Sequence, residues 1–224
     1  MSHYYQEKLS AFRLKRCYDI APPRVQQYLN GEIRTVSKKI KPSDKVLELG
    51  CGYGRILKEL SNTDAILTGI DISHSNIQYA KYEYLSGYFC HLFTMDAIYL
   101  GFHPETFDLV FCVQNGISAF GVDPAALISE AIRVTRPRGV VLFSSYSNKF
   151  WEERLQWFRL QSAEGLLGEI DDDLTGNGVI VCKDGFRATT FNRKEFEKLA
   201  GKTGDDFKVY EIDDSSIFCE ITTD

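Results

Sequence analysis

Three glycines stand close together at the end of an apolar segment, in the stretch VLELGCGYGR at residues 46–55. Gly50, Gly52 and Gly54 are spaced two residues apart, and nothing in the local pattern requires so much glycine. Glycine allows a tight turn and leaves no Cβ between the backbone and a bound molecule. A dinucleotide, a phosphate group and a sulfonium nucleoside each fit such a turn, as does an ordinary connection between a strand and a helix.

Two aspartates follow at the ends of later apolar segments. Asp71 closes AILTGID, 21 residues after Gly50, and Asp96 follows FCHLFTM. A carboxylate accepts hydrogen bonds from two vicinal ribose hydroxyls or from an exocyclic amine. Either aspartate taken alone is also typical of a loop or a helix cap. Together with the glycines, the two acids predict a crevice for adenosine at the carboxyl ends of consecutive strands.

These residues need a sheet whose strands end at one edge. Apolar segments at 45–49, 65–71, 89–95, 107–113 and 139–146 alternate with helical patterns, which indicates a parallel sheet covered on both faces. Two further strands are predicted at 207–212 and 215–221, joined by a short turn and therefore antiparallel to each other. The sequence thus predicts an α/β fold with a seven-stranded, mostly parallel sheet.

The position of the third glycine separates two classes of nucleotide-binding protein. The dinucleotide fingerprint requires a small residue at position 55, but that residue is Arg55, and Gly54 comes one residue early. The stretches ELGCGYG, GIDIS and TMDA instead resemble the motifs of the class I S-adenosylmethionine (SAM)-dependent methyltransferases. The resemblance covers residues 45–147 in motif detail and extends to residue 224 in element order. It implies a Rossmann-like methyltransferase fold with helices on both faces of the sheet and an antiparallel last strand.

The same resemblance implies SAM as the cofactor and S-adenosylhomocysteine as its product. The implied binding residues follow the ends of the first, second, third and fourth strands: Glu48, Gly50, Cys51, Gly52, Gly54, Asp71, Ile72, Asp96, Ala97, Gln114 and Asn115. Glu48 would support the glycine turn and the methionine amino group. Asp71 would bind the ribose hydroxyls, and Asp96 the adenine amino group.

The predicted reaction is methyl transfer by in-line displacement to a nitrogen or oxygen nucleophile of a small molecule. The fourth strand ends in QNGI, which lacks the Asn/Asp-Pro-Pro-aromatic box of DNA amino-methyltransferases and the acids of metal-dependent enzymes. No catalytic base stands out; Asn115 and Tyr146 are the candidates, and no metal site is predicted. An NAD(P)-dependent Rossmann oxidoreductase and a non-catalytic SAM-binding regulator remain alternatives.

A cap over the site is predicted from two parts of a single domain that spans residues 1–224. One part is an N-terminal helical lid at residues 1–42, and the other is a helix and hairpin insertion after strand 5, at residues 148–190. Aromatic and basic residues in these parts and at the end of strand 5 are the candidate acceptor contacts: Tyr4, Tyr5, Arg16, Tyr18, Tyr146, Trp151 and Arg187.

Charge and cysteine content restrict the partners. The net charge is −5, and residues 1–45 carry +6, which leaves −11 for the remainder. This asymmetry suggests an anionic acceptor held by one of four arginines: Arg13, Arg16, Arg24 or Arg187. Six scattered cysteines without a CxxC pair favour a reducing, cytoplasmic location, and neither DNA binding nor a membrane span is expected. A homodimer is compatible with the sequence, which determines neither the acceptor nor the oligomeric state.

Overall fold

The apolar strands form one seven-stranded sheet. The computed structural model describes residues 4, 8, 9 and 11–224. The strands are β1 (Lys45–Leu49), β2 (Ile66–Asp71), β3 (His91–Thr94), β4 (Phe107–Cys112), β5 (Thr135–Tyr146), β8 (Asp206–Ile212) and β9 (Ser216–Thr222). Their order is β3–β2–β1–β4–β5–β9–β8, and β9 runs antiparallel to both of its neighbours. The predicted sheet and its antiparallel last strand are therefore confirmed.

Helices connect most of these strands. They are α1 (Ala11–Asp19), α2 (Pro23–Ser37), α3 (Arg55–Leu60), α4 (His74–Tyr79), α5 (Gly116–Ala119), α6 (Pro124–Val134), α7 (Trp151–Ala163) and α8 (Arg193–Ala200). A π-helical turn, Ala80–Tyr84, continues α4, and a 3-10 turn, Asn148–Phe150, precedes α7. A two-stranded hairpin, β6 (Ile180–Val181) and β7 (Arg187–Ala188), follows α7. None of the described helices is long and apolar enough to span a membrane.

Alternate residues of the strands pack on opposite faces of the sheet. Leu47 of β1 lies in a core cluster that also contains residues of α6 and α8. Its neighbour Val46 lies in a second cluster with residues of α2 and α3. Both side chains are completely buried. Because successive side chains of a strand point to opposite faces, these two clusters explain why the strands read as nearly continuous apolar runs.

A third apolar cluster joins α1 and α2 to the segment that follows β5. It includes Cys17, Tyr28, Tyr146, Trp157 and Phe186. The Trp157 indole N–H donates to the carbonyl of Cys17 at 2.8 Å, which fixes α1 directly to α7. The N-terminal helix therefore packs against the insertion at the end of the sheet where the strands β1, β2 and β4 stop.

Three elements differ from the sequence prediction. In the predicted N-terminal helical lid at residues 1–42, α1 begins only at Ala11, whose φ of 50° is left-handed and breaks the helical path. Residues 1–3, 5–7 and 10 lie outside the described residues, and Tyr5 is among them. The hairpin turns at the predicted Lys183–Gly185, but its ladder is only two residues long. Strand β5 starts four residues early, with a register shift against β4.

Candidate active site

A cavity of about 260 Å³ opens at the carboxyl ends of β1, β2 and β4, below α1 and α7. Ten of the eleven predicted cofactor residues line it: Glu48, Gly50, Cys51, Gly52, Asp71, Ile72, Asp96, Ala97, Gln114 and Asn115. The remaining one, Gly54, lies behind the glycine turn, where it packs against Leu85. The topology thus brings together residues that are as many as 67 positions apart in the sequence.

The glycine turn needs left-handed backbone and leaves no room for side chains. The φ angles of Gly50, Gly52 and Gly54 are 72°, 54° and 86°. A Cβ on Gly50 would lie 2.9 Å from the ring of Phe120, and one on Gly52 would lie 3.0 Å from Leu14 of α1. The first two glycines therefore open the floor of the cavity, while Gly54 lets the chain enter α3.

Asp71 is held in place at the end of β2 by three donors. Its Oδ2 accepts from the Gly52 N–H at 2.9 Å, and its Oδ1 accepts from the Ser73 N–H at 2.8 Å and the Asn76 amide at 3.2 Å. Burial raises the pKa of Asp71, and these hydrogen bonds oppose that rise. A carboxylate offers about four acceptor positions, so the three bonds orient Asp71 and leave acceptor capacity that faces the cavity.

Asp96, Ala97 and Ile72 lie at the same end of the cavity as Asp71. One oxygen of Asp96 accepts from the Ile98 N–H at 3.1 Å, which orients the carboxylate at the end of β3. Ile72 is 41% exposed and presents an unpacked apolar surface to the cavity. An apolar surface beside a hydrogen-bond acceptor is the environment that a purine base requires.

Glu48 and Arg55 have ionisable side chains of opposite type, and polar atoms of both lack hydrogen-bond partners among the described residues. Glu48 is 4% exposed, and its Oε2 has no hydrogen-bond partner among the described residues. The same holds for the Nε and Nη2 of Arg55, whose guanidinium lies 4.5 Å from the centroid of the Tyr18 ring. Burial raises the pKa of Glu48 to about 8, although Arg55 lowers it. Buried charges without partners are costly, so this arrangement suits a ligand that carries both an anion and a cation.

The end of β4 has an unusual backbone fixed by buried polar groups. Gln114 and Asn115 have φ angles of 58° and 62°. The Gln114 N–H donates to Oε2 of the fully buried Glu32 at 2.5 Å and to Ser144 at 2.9 Å. Burial raises the pKa of Glu32 to about 7. Left-handed conformation is costly for side chains of this size, and Glu32 supplies the contact that holds it.

The side-chain amide of Asn115 makes three structural hydrogen bonds. Its Nδ2 donates to the carbonyl of Thr189 at 2.9 Å, and its Oδ1 accepts from Ser118 at 3.0 Å and Ser145 at 2.7 Å. The residue therefore ties the end of β4 to β5 and to the segment after the hairpin. In this arrangement the amide positions the cavity floor, and only one N–H of its NH2 group has no partner among the described residues.

An aromatic wall closes the opposite side of the cavity. We use this term for the rings of Tyr18, Tyr146, Trp157, Phe158 and Phe186, all of which line the cavity. Burial raises the pKa of Tyr146, so its hydroxyl stays protonated at neutral pH. Tyr18 and Tyr146 were predicted as acceptor contacts, whereas Tyr4, Arg16, Trp151 and Arg187 do not line this cavity.

The four arginines proposed as an anion clamp lie elsewhere. Arg13 donates to the carbonyls of Gly165 and Leu166, and Arg16 pairs with Glu164 at 2.9 Å. Arg24 pairs with Asp213 at 2.9 Å, and Arg187 is exposed on β7. In this structure none of the four arginines lines the cavity, and Arg16 and Arg24 instead join the basic N-terminal segment to the acidic body.

The described residues contain no group of three or more His, Cys, Asp or Glu side chains arranged to hold a metal ion. His74 contacts Thr94, and His91 contacts the ring of Phe89. His3 falls outside the residues that the structure describes.

Comparisons with known proteins agree with this geometry. Residues 46–139 match a family model described as a methyltransferase domain. This match covers less than half of the chain, and it contains the glycine motif together with Asp71 and Asp96. A ubiquinone biosynthesis O-methyltransferase of Thiobacillus denitrificans is 32% identical over 103 residues, which cover 45% of this chain and 44% of that protein. The chain thus matches about half the length of such curated relatives.

Solved structures share the fold of this chain over nearly its whole length. A Pyrococcus horikoshii protein superposes with a TM-score of 0.67 at 21% identity, covering 99% of both chains. Magnesium protoporphyrin IX methyltransferase of Synechocystis with bound S-adenosylhomocysteine gives a TM-score of 0.65 at 19% identity, covering 100% of this chain and 98% of the other. The family match over residues 46–139 favours the methyltransferase interpretation of the glycine motif over the NAD(P)-dependent oxidoreductase considered from the sequence.

The residues that line the cavity fit SAM. Gly50 and Gly52 form a cradle that any Cβ would fill, and Glu48 and Arg55 provide unpartnered buried polar atoms for an α-amino acid group. Sequence reasoning did not assign a role to Arg55, Phe120 or Gln161, although all three line the cavity. Arg55 is adjacent to the glycine motif and was detectable there, whereas nothing local marks Phe120 or Gln161.

Proposed function

We propose that this chain binds SAM along the cavity and transfers its methyl group to a small molecule held against the aromatic wall. In this proposal Asp71 binds the ribose hydroxyls and Asp96 the adenine amine, as the family resemblance implied. Glu48 binds the α-ammonium group and Arg55 the α-carboxylate. The observation that carries the proposal is that Glu48 and Arg55, whose buried polar atoms lack partners, line one cavity together with Asp71 and Asp96.

The residues around the reaction provide position and exclusion of water. SAM supplies a methyl group that its sulfonium already activates. The left-handed turn at Gln114 and Asn115 shapes the floor between the cofactor residues and the aromatic wall. A fixed, dry geometry accelerates in-line displacement mainly through orientation. The chain's catalytic contribution is therefore to align the two reactants.

Tyr146 acts as a hydrogen-bond donor in this scheme and not as a base. Its pKa is raised by burial, and the guanidinium of Arg154 lies 4.7 Å from its ring centroid. Among the described residues that line the aromatic wall, no carboxylate or histidine is present to remove a proton. A nucleophile that needs little deprotonation, on nitrogen or on an acidic oxygen, matches this composition.

Ligand truncation tests the assignment of the charged pair. S-adenosylhomocysteine carries the amino acid group, whereas 5′-methylthioadenosine has only the nucleoside and the thioether. Arg55→Gln should weaken S-adenosylhomocysteine about ten- to hundredfold in calorimetry, because charged hydrogen bonds are lost. Affinity for 5′-methylthioadenosine should change less than about threefold. Lys58→Gln on the same helix, outside the cavity, is the matched control.

Two outcomes would contradict parts of this proposal separately. Equal weakening of both ligands by Arg55→Gln would remove the carboxylate assignment. A wild-type protein that binds S-adenosylhomocysteine but never converts SAM in the presence of a broad metabolite library would favour the regulator alternative. Formation of S-adenosylhomocysteine, followed by mass spectrometry, is the readout.

The cysteines and the net charge bear on the location and the partners of the chain. We propose a cytoplasmic location because all six cysteines are free thiols, five of them buried. The net charge of −5 disfavours DNA as a substrate. A homodimer stays a prediction, which light scattering coupled to size-exclusion chromatography tests.

A further inference from the structure

The aromatic wall offers rings but few charges to an acceptor. Among the described residues that line the cavity, the charged ones are Glu48, Arg55, Asp71 and Asp96, and all four follow the strands on the cofactor side. The wall itself consists of Tyr18 on α1, Tyr146 at the end of β5, Trp157 and Phe158 on α7, and Phe186 in the hairpin. An acceptor that binds here exchanges its contacts with water for contacts with the faces and edges of aromatic rings.

A cationic acceptor would compete with guanidinium groups that already make cation–π contacts with rings of the wall. Arg154 lies 4.7 Å from the centroid of Tyr146 and 5.5 Å from that of Phe158, and Arg55 lies 4.5 Å from that of Tyr18. A second cation on the same rings would be repelled at low dielectric. The wall therefore does not form an aromatic cage for ammonium groups.

An anionic acceptor would lack a counter-ion on this side. Arg13, Arg16 and Arg24 contact carbonyl groups or acids outside the cavity, and Arg187 does not line it. Arg55 is committed to the cofactor in the proposed function, on which this inference rests. Burying a carboxylate or phosphate without a charged partner is strongly unfavourable.

One polar side chain interrupts the wall. Gln161 on α7 is 3% exposed, lines the cavity, and makes no side-chain hydrogen bond with the described residues. It lies one helical turn after Trp157, so the amide is on the same face of α7 as that ring. Its amide is not among the fully enclosed, unpartnered side-chain atoms of the described residues, so it opens onto the cavity and is available to hydrogen-bond a ligand group.

We infer that the acceptor is an uncharged, flat aromatic molecule whose polar substituent hydrogen-bonds to Gln161. Ring stacking with the aromatic wall provides the binding energy, and the amide selects the orientation. The transferred methyl group replaces a proton on a heteroatom of this molecule. The proton leaves to solvent, and the thioether product departs as S-adenosylhomocysteine.

A charge series on one ring system tests the inference. The protein is first saturated with S-adenosylhomocysteine, and binding of 2-naphthol, naphthalene, 2-naphthoate and 2-naphthylmethylammonium is measured by ligand-observed NMR. We expect 2-naphthol to bind at least about tenfold more tightly than either ion. We also expect it to bind about five- to tenfold more tightly than naphthalene, because only the naphthol has a hydroxyl for Gln161.

Variants of α7 separate the amide from general packing. Gln161→Leu should reduce the preference for 2-naphthol over naphthalene to less than about twofold, while naphthalene itself binds as before. Gln156→Leu, at an exposed position of the same helix, should leave the preference unchanged.

Three results would overturn the inference: tighter binding of either ion, equal behaviour of the two variants, or no binding of any naphthyl compound to the saturated protein. Failure to bind S-adenosylhomocysteine in the first step would instead contradict the proposed function.

Discussion

At the scale of single residues, the protonation of Glu48 links cofactor binding to pH. Burial raises the pKa of this carboxyl to about 8, so most of it is protonated at neutral pH in the free protein. Pairing with the ligand's α-ammonium requires the carboxylate and therefore lowers that pKa. Binding of S-adenosylhomocysteine must then release a proton from Glu48.

The affinity for S-adenosylhomocysteine should therefore rise between about pH 6 and 7.5, by up to about tenfold per pH unit. Calorimetry in buffers of different ionisation enthalpy measures the released proton directly.

Glu32, with a pKa of about 7, titrates in the same window. It lies outside the cavity lining, so its titration would affect 5′-methylthioadenosine equally, and the difference between the two ligands isolates Glu48. A pH-independent difference, or an unchanged one in Glu48→Gln, would contradict the pairing.

At the scale of elements, the turn between β1 and α3 has a left-handed backbone and also leaves space for the cofactor. Gly52→Val places a branched side chain at a φ of 54° and 3.0 Å from Leu14. We expect the affinity for S-adenosylhomocysteine to fall more than about hundredfold through occlusion. The free energy of unfolding should fall by roughly 1–3 kcal/mol through backbone strain.

Gly87→Val is the matched control for this prediction. Its φ is 91°, but nothing lies within 4 Å of the added Cβ. It therefore carries similar strain without closing the cavity. If both variants bind S-adenosylhomocysteine equally well, the glycine turn does not face the cofactor.

Elements that are encoded by neighbouring residues could be predicted from the sequence, whereas those that depend on tertiary contacts could not. The strands and the residues that follow them could be predicted because apolar periodicity and the glycine motif lie within a few residues of each other. Residues such as Gln161 and Phe120 reach the cavity only because α7 and the segment after β4 fold over the sheet. The break before Ala11 depends on tertiary contacts, including the 2.6 Å bond from the Ala11 N–H to Asn76. No local pattern in the sequence encodes that contact.

At the scale of the whole molecule, the charge asymmetry serves docking between segments. Arg16 on α1 pairs with Glu164 after α7, and Arg24 on α2 pairs with Asp213 between β8 and β9. Both pairs are about one-third to one-half exposed, so each is worth at most about 1 kcal/mol.

Arg16→Gln and Arg24→Gln should each change the free energy of unfolding by less than about 1 kcal/mol. Neither should change the KM for an acceptor by more than about twofold, because neither side chain lines the cavity. Chemical denaturation and steady-state kinetics measure the two quantities. A tenfold increase in KM with unchanged affinity for S-adenosylhomocysteine would restore the anion clamp predicted from the sequence.

The contacts of α1 also determine how the molecule closes over its ligands. This helix is fixed to α7 by the Trp157 bond to Cys17, and its Leu14, Cys17 and Tyr18 line the cavity. A ligand that fills the cavity adds contacts to this helix without adding any to α8, which lies on the far face of the sheet and contributes no lining residue.

Hydrogen exchange of amides 14–18 should therefore slow at least about tenfold with saturating S-adenosylhomocysteine, while amides of α8 keep their rates. Mass spectrometry of peptides from the two helices measures both in one experiment. Equal slowing in both would indicate global stabilisation by the ligand, and no slowing in α1 would make it a fixed structural element and not part of a lid.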